Sequence, residues 1–281
     1  MSFDLAELRR TIQARTAPDA SKDADADRDA VAQLLAALSQ GKVRSAESTD
    51  DGWQAVPWVK QGILLAFRAG TTAPFGEEPF RFFDRDTLPL RATDGVAEHV
   101  RIVPGGSSVR AGAYLGPGVV MMPPAFVNIG AWVGEDSMVD SHALVGSCAQ
   151  VGQRVHLSAG AQLGGVLEPV GLRPVIVEDD AMVGANTGVF EGTLVGRRAV
   201  LAPGVQLTRS TVVYDLVRER TYRATAEEPL SIPDGAVVVP GSRPAAGAFA
   251  EEHGLALYAP VVVKYRDEKT DAATALEEAL R

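Results

Sequence analysis

The chain has 281 residues, of which 46% are hydrophobic, 22% charged and only 6% aromatic. Its 27 Lys and Arg against 36 Asp and Glu leave a net charge of −9, which argues against a general nucleic-acid binder because such a protein needs a cationic face. No apolar run reaches the roughly 18 residues of a membrane span, residues 1–16 lack the layout of a signal peptide, and the single cysteine, Cys148, cannot form an internal disulfide; a cytoplasmic protein is expected.

Residues 1–100 read as a helical N-terminal domain. Helical spacing runs over residues 3–16 and 29–38, the second with Val31, Leu34, Leu35 and Leu38 on one face. Between them, residues 19–30 are polar and charged, which fits a solvated loop or a helix start. A third, buried helix is predicted over residues 58–68.

Residues 101–214 are different. They hold 18 of the 28 glycines and few aromatics. Stepping by six from Val103 meets an aliphatic residue at every position through Leu163. The register then slips once and resumes from Val177 to Val213. A second column, four residues after each of these, contains only Ser, Thr, Ala or Val, as at Ala113, Ala143 and Thr187. Two residues separate the small position from the next aliphatic one, so on a strand both face the same side. Gly or Asn often follows the aliphatic residue directly, as at Gly134 and Asn128, and is expected to turn the chain through positive φ. Short strands with a turn every six residues wrap into a three-sided parallel β-helix of about six coils, roughly 29 Å long at the 4.8 Å strand spacing. The fold class is therefore mainly β. The phase slip predicts a loop over residues 164–176 that leaves the prism and returns. Beyond it, residues 215–281 read as a short mixed segment, with strands at 216–224, 237–240 and 255–265 and an amphipathic helix over 268–281.

Reactive groups that break the repeat's composition are the candidates for chemistry. Asp140 occupies a turn slot where Gly or Asn is favoured, and Glu191 lies in another beside the bulky Phe190. His142 and His156 also lie inside the repeat. Cys148 has no activating neighbour in sequence, and no Cys/His spacing suggests a metal.

The stretches VNIGAWV, MVD, VGSCAQVG, VHLS and GGVLEP, all within residues 121–169, together with WVKQGILLAFR at 58–68 and VRIVPG at 100–105, are specific. On these residues the chain resembles the tetrahydrodipicolinate N-succinyltransferase family of the hexapeptide-repeat acyltransferases, over nearly its whole length. The resemblance implies a left-handed β-helix, a homotrimer with sites between subunits, and transfer of a succinyl group from succinyl-CoA to ring-opened tetrahydrodipicolinate in lysine and diaminopimelate biosynthesis. The partners are then a small dicarboxylate and CoA, with no permanently bound cofactor and no metal. By the same match Asp140 is the substrate-binding and catalytic aspartate, Arg101 the substrate-binding arginine, and Glu191 the acidic residue given a role beside the aspartate. Arg197, Arg198, Arg209, Arg218 and Arg220 are candidates for the CoA phosphates.

Repeat arithmetic adds an expectation of its own. Asp140 and Glu191 are separated by a number of hexads not divisible by three, so they occupy different corners, roughly two and a half coils apart. A composite site is expected, with Asp140 from one chain and Glu191 from its neighbour. The chain also departs from the family: Asn186 and Gly188 stand where well-known members have Arg and Glu, and Ser141 and His142 replace a Thr-Trp pair. These changes keep two alternatives open, an acetyl-CoA-dependent N- or O-acetyltransferase (with His142 or His156 as base) and a non-catalytic hexapeptide assembly protein.

Overall fold

The computed structural model describes residues 4–267. Helix α1 (Leu5–Thr16) starts at Asp4, whose carboxylate accepts the amides of Ala6 and Glu7, and α2 (Ala24–Ser39) starts at Asp23, which accepts the amide of Ala26. These caps divide the charged 19–30 stretch into a loop and about the first two turns of α2. Two hairpins surround α3 (Pro57–Ala69). One pairs β1 (Ala46–Thr49) with β2 (Gly52–Ala55), the other β3 (Thr72–Phe75) with β4 (Phe82–Arg85). The expected helical domain thus also carries two strand hairpins. The four strands are only four residues long and mostly exposed, too short for the alternation of β2 and β3 to stand out in sequence. Ile12, Leu34 and Ile63 are fully buried where the three helices meet.

From Arg101 onwards the chain winds as a left-handed parallel β-helix of six coils. Face I stacks Arg101–Ile102, Val120–Met121, Met138–Val139, His156–Leu157, Met182–Val183, Val200–Leu201 and Ala236–Val239. Face II stacks Ser108–Val109, Phe126–Val127, Leu144–Val145, Gln162–Leu163, Gly188–Val189 and Gln206–Leu207. Face III stacks Tyr114–Leu115, Trp132–Val133, Gln150–Val151, Ile176–Val177, Leu194–Val195 and Ser231–Ile232. In each two-residue strand the second side chain points inward and the first outward. The inward aliphatics from Leu115 to Leu207 are all buried, with Ala113, Ala131, Ala143 and Ala161 beside them. Polar members of the small column are satisfied inside: the Ser137 hydroxyl donates to the Gly152 carbonyl, and that of Thr193 to the Phe190 carbonyl.

The structure corrects three details of the repeat. Ile102, not Val103, pairs with Met121; the additional residue before Val109 is taken up at Gly105 and Gly106, both at positive φ. The turn residue is the third after the aliphatic position, not the first: Gly112, Gly118, Gly130, Asp136, His142, Cys148 and Arg154 have φ between 53° and 85°. A glycine directly after the aliphatic residue serves close stacking instead. A Cβ on Gly134 would lie 2.5 Å from the Gly152 carbonyl oxygen in the next coil.

Third, Val213 is not the last hexad. The chain leaves face II after Leu207 and places Val213–Asp215 at the end of the face I sheet, paired with Arg220–Tyr222 and Val261–Tyr265. The next place on face III goes to Ser231–Ile232, followed on face I by Ala236–Val239. The prism therefore continues past 214, after a second excursion over residues 208–230. Asp215, 2% exposed, fixes this edge by accepting the hydroxyls of Tyr222 and Tyr265 at 3.0 and 2.6 Å. A short helix, α4 (Ala248–Glu252), sits inside a hairpin of Ser242–Pro244 and Ala256–Tyr258. The helix expected over 268–281 lies outside the described residues.

The first excursion runs from Leu163 on face II to Val177 on face III, eight residues more than one hexad needs. It is tied down on three sides. The Lys60 ammonium of α3 donates to the Leu172 carbonyl at 2.5 Å, the Val166 amide to the Ser147 carbonyl, and the Arg173 guanidinium to the Gly192 carbonyl. Burial pushes the Lys60 ammonium below the ordinary lysine value.

Close coil stacking predicts that Gly134→Ala destabilises the protein by about 2 kcal/mol or more. Gly171→Ala, where a Cβ would meet nothing within 4 Å, should stay within about 0.5 kcal/mol. Thermal or denaturant unfolding of the two variants checks this.

Candidate active site

The N-terminal domain covers face III. Tyr114 and Trp132, outward residues of adjacent coils, stack with ring centroids 3.9 Å apart. The Arg44 guanidinium lies 4.1 Å from the Trp132 ring and donates to the Gln150 side chain at 2.9 Å. Gln150 in turn donates to the Ser45 hydroxyl, which reaches the Gly130 carbonyl. Trp53 of β2 donates to Glu178 at 2.8 Å. Burial lowers the Arg44 guanidinium to about 10. These residues were not singled out from sequence. The signal available was two of the repeat's few aromatics at equivalent positions of adjacent coils.

Cys148 belongs to this junction. Its side chain is fully buried in the cluster formed by Ile63, Leu35 and Ile129, and burial pushes the thiol up to about 11. A thiol so protonated is a poor nucleophile.

Asp140 stands at the corner between faces I and II, half-buried. Its amide continues the face I ladder to the Leu157 carbonyl, and its Oδ1 accepts the Ser141 amide at 2.6 Å. The backbone thus fixes the carboxylate at both ends of the residue. Arg101 is exposed on the same face; the register Arg101–Val120–Met138 puts it two strands away, about 10 Å along the axis. His156 lies half-buried on face I between Met138 and Met182. His142 forms the turn after Asp140 at φ 63°, its amide bound to the Pro124 carbonyl and its ring residue exposed.

Glu191 is placed elsewhere. It lies at the corner between faces II and III, seven hexads beyond Asp140 once the eight-residue excursion is removed, or about 11 Å along the axis. Arg101 and Asp140 lie along the same side of one chain, on face I and at its edge two strands away, whereas Glu191 lies at another corner. Glu191 is exposed, at φ 54°, and its Oε2 accepts the Arg209 amide at 2.7 Å.

The five arginines expected at the CoA phosphates are placed as follows. Arg197 pairs with Asp179 at 2.8 Å, and the Arg218 guanidinium stacks 3.9 Å from the Tyr265 ring. Arg209 donates to the Thr225 and Ala226 carbonyls. Arg198 occupies a positive-φ turn, and Arg220 is exposed on the Arg220–Tyr222 strand.

The departures have local reasons. Asn186 is a turn residue at φ 55°, a conformation Asn adopts more cheaply than Arg. A Cβ on Gly188 would lie 2.2 Å from the Gln206 amide oxygen and 2.4 Å from the Phe190 ring. The bulk absent at position 188 stands at Phe190, whose ring also packs over Gly164.

Residues 7–69 match the family described as tetrahydrodipicolinate N-succinyltransferase N-terminal, and residues 174–209 the hexapeptide repeat of succinyl-transferase. A 2,3,4,5-tetrahydropyridine-2,6-dicarboxylate N-succinyltransferase from Polynucleobacter asymbioticus is 42% identical over 90% of this chain and 90% of that protein. Proteins of the same name from Idiomarina loihiensis and Methylorubrum populi are 40% and 39% identical, over 99% and 98% of this chain and 96% and 99% of their own lengths. Identity at this level, end to end, across a prism that keeps its strand register, shows that the chain belongs to the 2,3,4,5-tetrahydropyridine-2,6-dicarboxylate N-succinyltransferase family.

Proposed function

We propose that this chain transfers the succinyl group of succinyl-CoA to the amino group of ring-opened tetrahydrodipicolinate, a step of diaminopimelate and lysine biosynthesis. The observation that carries this reading is the 40% identity over 99% of the chain to a protein of that name. The common side of Arg101 and Asp140 supports it. The acceptor is a dicarboxylate with an amine between its ends. Arg101 can hold one carboxylate through two parallel hydrogen bonds, which leaves the amine in the direction of Asp140.

An ammonium has no lone pair, so the acceptor amine must be neutral to attack the thioester carbonyl. The Asp140 carboxylate accepts the amine proton as the C–N bond forms. Collapse of the tetrahedral intermediate breaks the C–S bond, and CoA leaves as its thiol, taking up a proton. The Ser141 amide on Oδ1 holds the carboxylate in one orientation, with the other oxygen as the acceptor of the proton.

Glu191 cannot join Asp140 within one chain, so the site is read as lying between subunits of a homotrimer, with Asp140 from one chain and Glu191 from the next. Met138 and Met182 on face I and Phe126 and Leu144 on face II point outward. Apolar side chains in these positions suit packing against a second prism.

One observation favours a second reading, acetyl transfer. The Phe190 ring over Gly164 and Gly188 places apolar surface beside Glu191. Thiol release with 2-aminopimelate as acceptor distinguishes the readings. Succinyl-CoA should exceed acetyl-CoA in kcat/KM by about tenfold or more. A preference for acetyl-CoA would favour the second reading, and no thiol release from either donor would leave an assembly role. Asp140→Asn, which retains the oxygen facing the Ser141 amide, should lower kcat by about 10²–10⁴ while keeping the oligomer. A fully active variant would remove Asp140 from catalysis.

A further inference from the structure

We propose that Arg209 is a positioning residue that holds Glu191 in its working geometry. This rests on the role of Glu191 given above. Glu191 and Gly192 both adopt positive φ, at 54° and 76°. Two successive left-handed residues lift the Glu191 side chain away from the prism corner, where it is exposed. A glutamate in that position has free rotation about its side-chain bonds and is poorly placed for a neighbouring chain's site unless something holds it. The hold comes from the next coil. Arg209 lies 18 residues on, at the equivalent place after Leu207, and its amide donates to Glu191 Oε2 at 2.7 Å.

That amide is the first part of the second excursion, and it needs an anchor of its own. The Arg209 guanidinium supplies one. It crosses the neck of the excursion and donates to the Thr225 and Ala226 carbonyls at 2.9 and 3.1 Å. The far side of the neck is itself a closed turn: the Thr225 hydroxyl accepts the amides of Glu227 and Glu228, and the Thr225 amide donates to the Glu228 carbonyl. On the near side the Thr208 amide donates to the Thr211 hydroxyl. Arg209 thus bolts the start of the excursion to its end and presents a fixed N–H to Glu191. The guanidinium engaged in this way commits its Nη2 to two backbone carbonyls.

The test is a double-mutant cycle of R209A and E191Q, with R209K as the conservative change, in steady-state kinetics with succinyl-CoA and 2-aminopimelate. Melting temperature and oligomeric state are measured for each variant. E191Q should lower kcat by about tenfold or more. R209A should lower kcat severalfold with the KM for succinyl-CoA unchanged, should add no further loss in the E191Q background, and should be largely rescued in R209K. Equal losses in both backgrounds, or full activity of R209A, would overturn the proposal. A raised KM for succinyl-CoA in R209A, together with loss of the wild-type enzyme's preference over the 3′-dephospho donor, would overturn it by making Arg209 a phosphate ligand. Full activity of E191Q would instead remove Glu191 from the site, an outcome distinct from a failure at Arg209. If R209A does not assemble, R209M, which keeps the aliphatic stem and removes the donors to the Thr225 and Ala226 carbonyls, carries the same cycle.

Discussion

The stacking of coils at one strand spacing governs the rest of the molecule. Each residue of the repeat has its face set by its hexad count and its height set by its coil. The glycines after the aliphatic positions make this stacking possible, because a Cβ on Gly134, Gly146 or Gly184 would come within 2.4–2.6 Å of a neighbouring coil's backbone. A scaffold so tightly packed cannot bend to bring two distant corners together. Asp140 and Glu191 are therefore separated for the same reason that the prism is stable. If the two carboxylates act together, as proposed above, this separation requires a site between chains.

The N-terminal domain settles which faces remain available. It occupies face III through Arg44, Trp53 and the Tyr114–Trp132 stack, and it seals the adjacent corner with Ile63 against Ile129 and Cys148. Asp140 and Arg101 belong to the part of the prism left open. The first excursion is pinned to α3 by Lys60 and to the Gly192 carbonyl by Arg173. It thus acts as a strut between the domain and the corner that holds Glu191, and not as a free lid.

Much of this was legible in the sequence because the hexad is a strong signal with a single physical solution. The aliphatic and small columns marked the inward positions, and Asp140 stood out as a carboxylate directly after an aliphatic position, where Gly or Asn is usual. What was misread shows the limits of pattern. Val213 fits the count, yet its strand is an edge addition; an aliphatic residue looks the same in either place, and only the 208–230 excursion distinguishes them. The turn residue was assigned two positions early, because glycine is used both for positive φ and for close approach and the letter does not say which. The hairpins of the N-terminal domain expose most of their side chains, and their four-residue strands are too short for alternation to stand out. The hold on Glu191 was invisible for another reason: the donor is a backbone amide, which every residue but proline possesses.

The central claim, that one active site takes Asp140 and Glu191 from different chains, is tested most directly by mixing two inactive variants. Asp140→Asn and Glu191→Gln are denatured or dissociated, combined in equal amounts and reassembled. If the site is composite in a trimer, about one quarter of the sites regain both native residues, and activity should recover to about that fraction of wild type. If each chain builds its own site, every site carries one substitution, and the mixture should stay as inactive as its components.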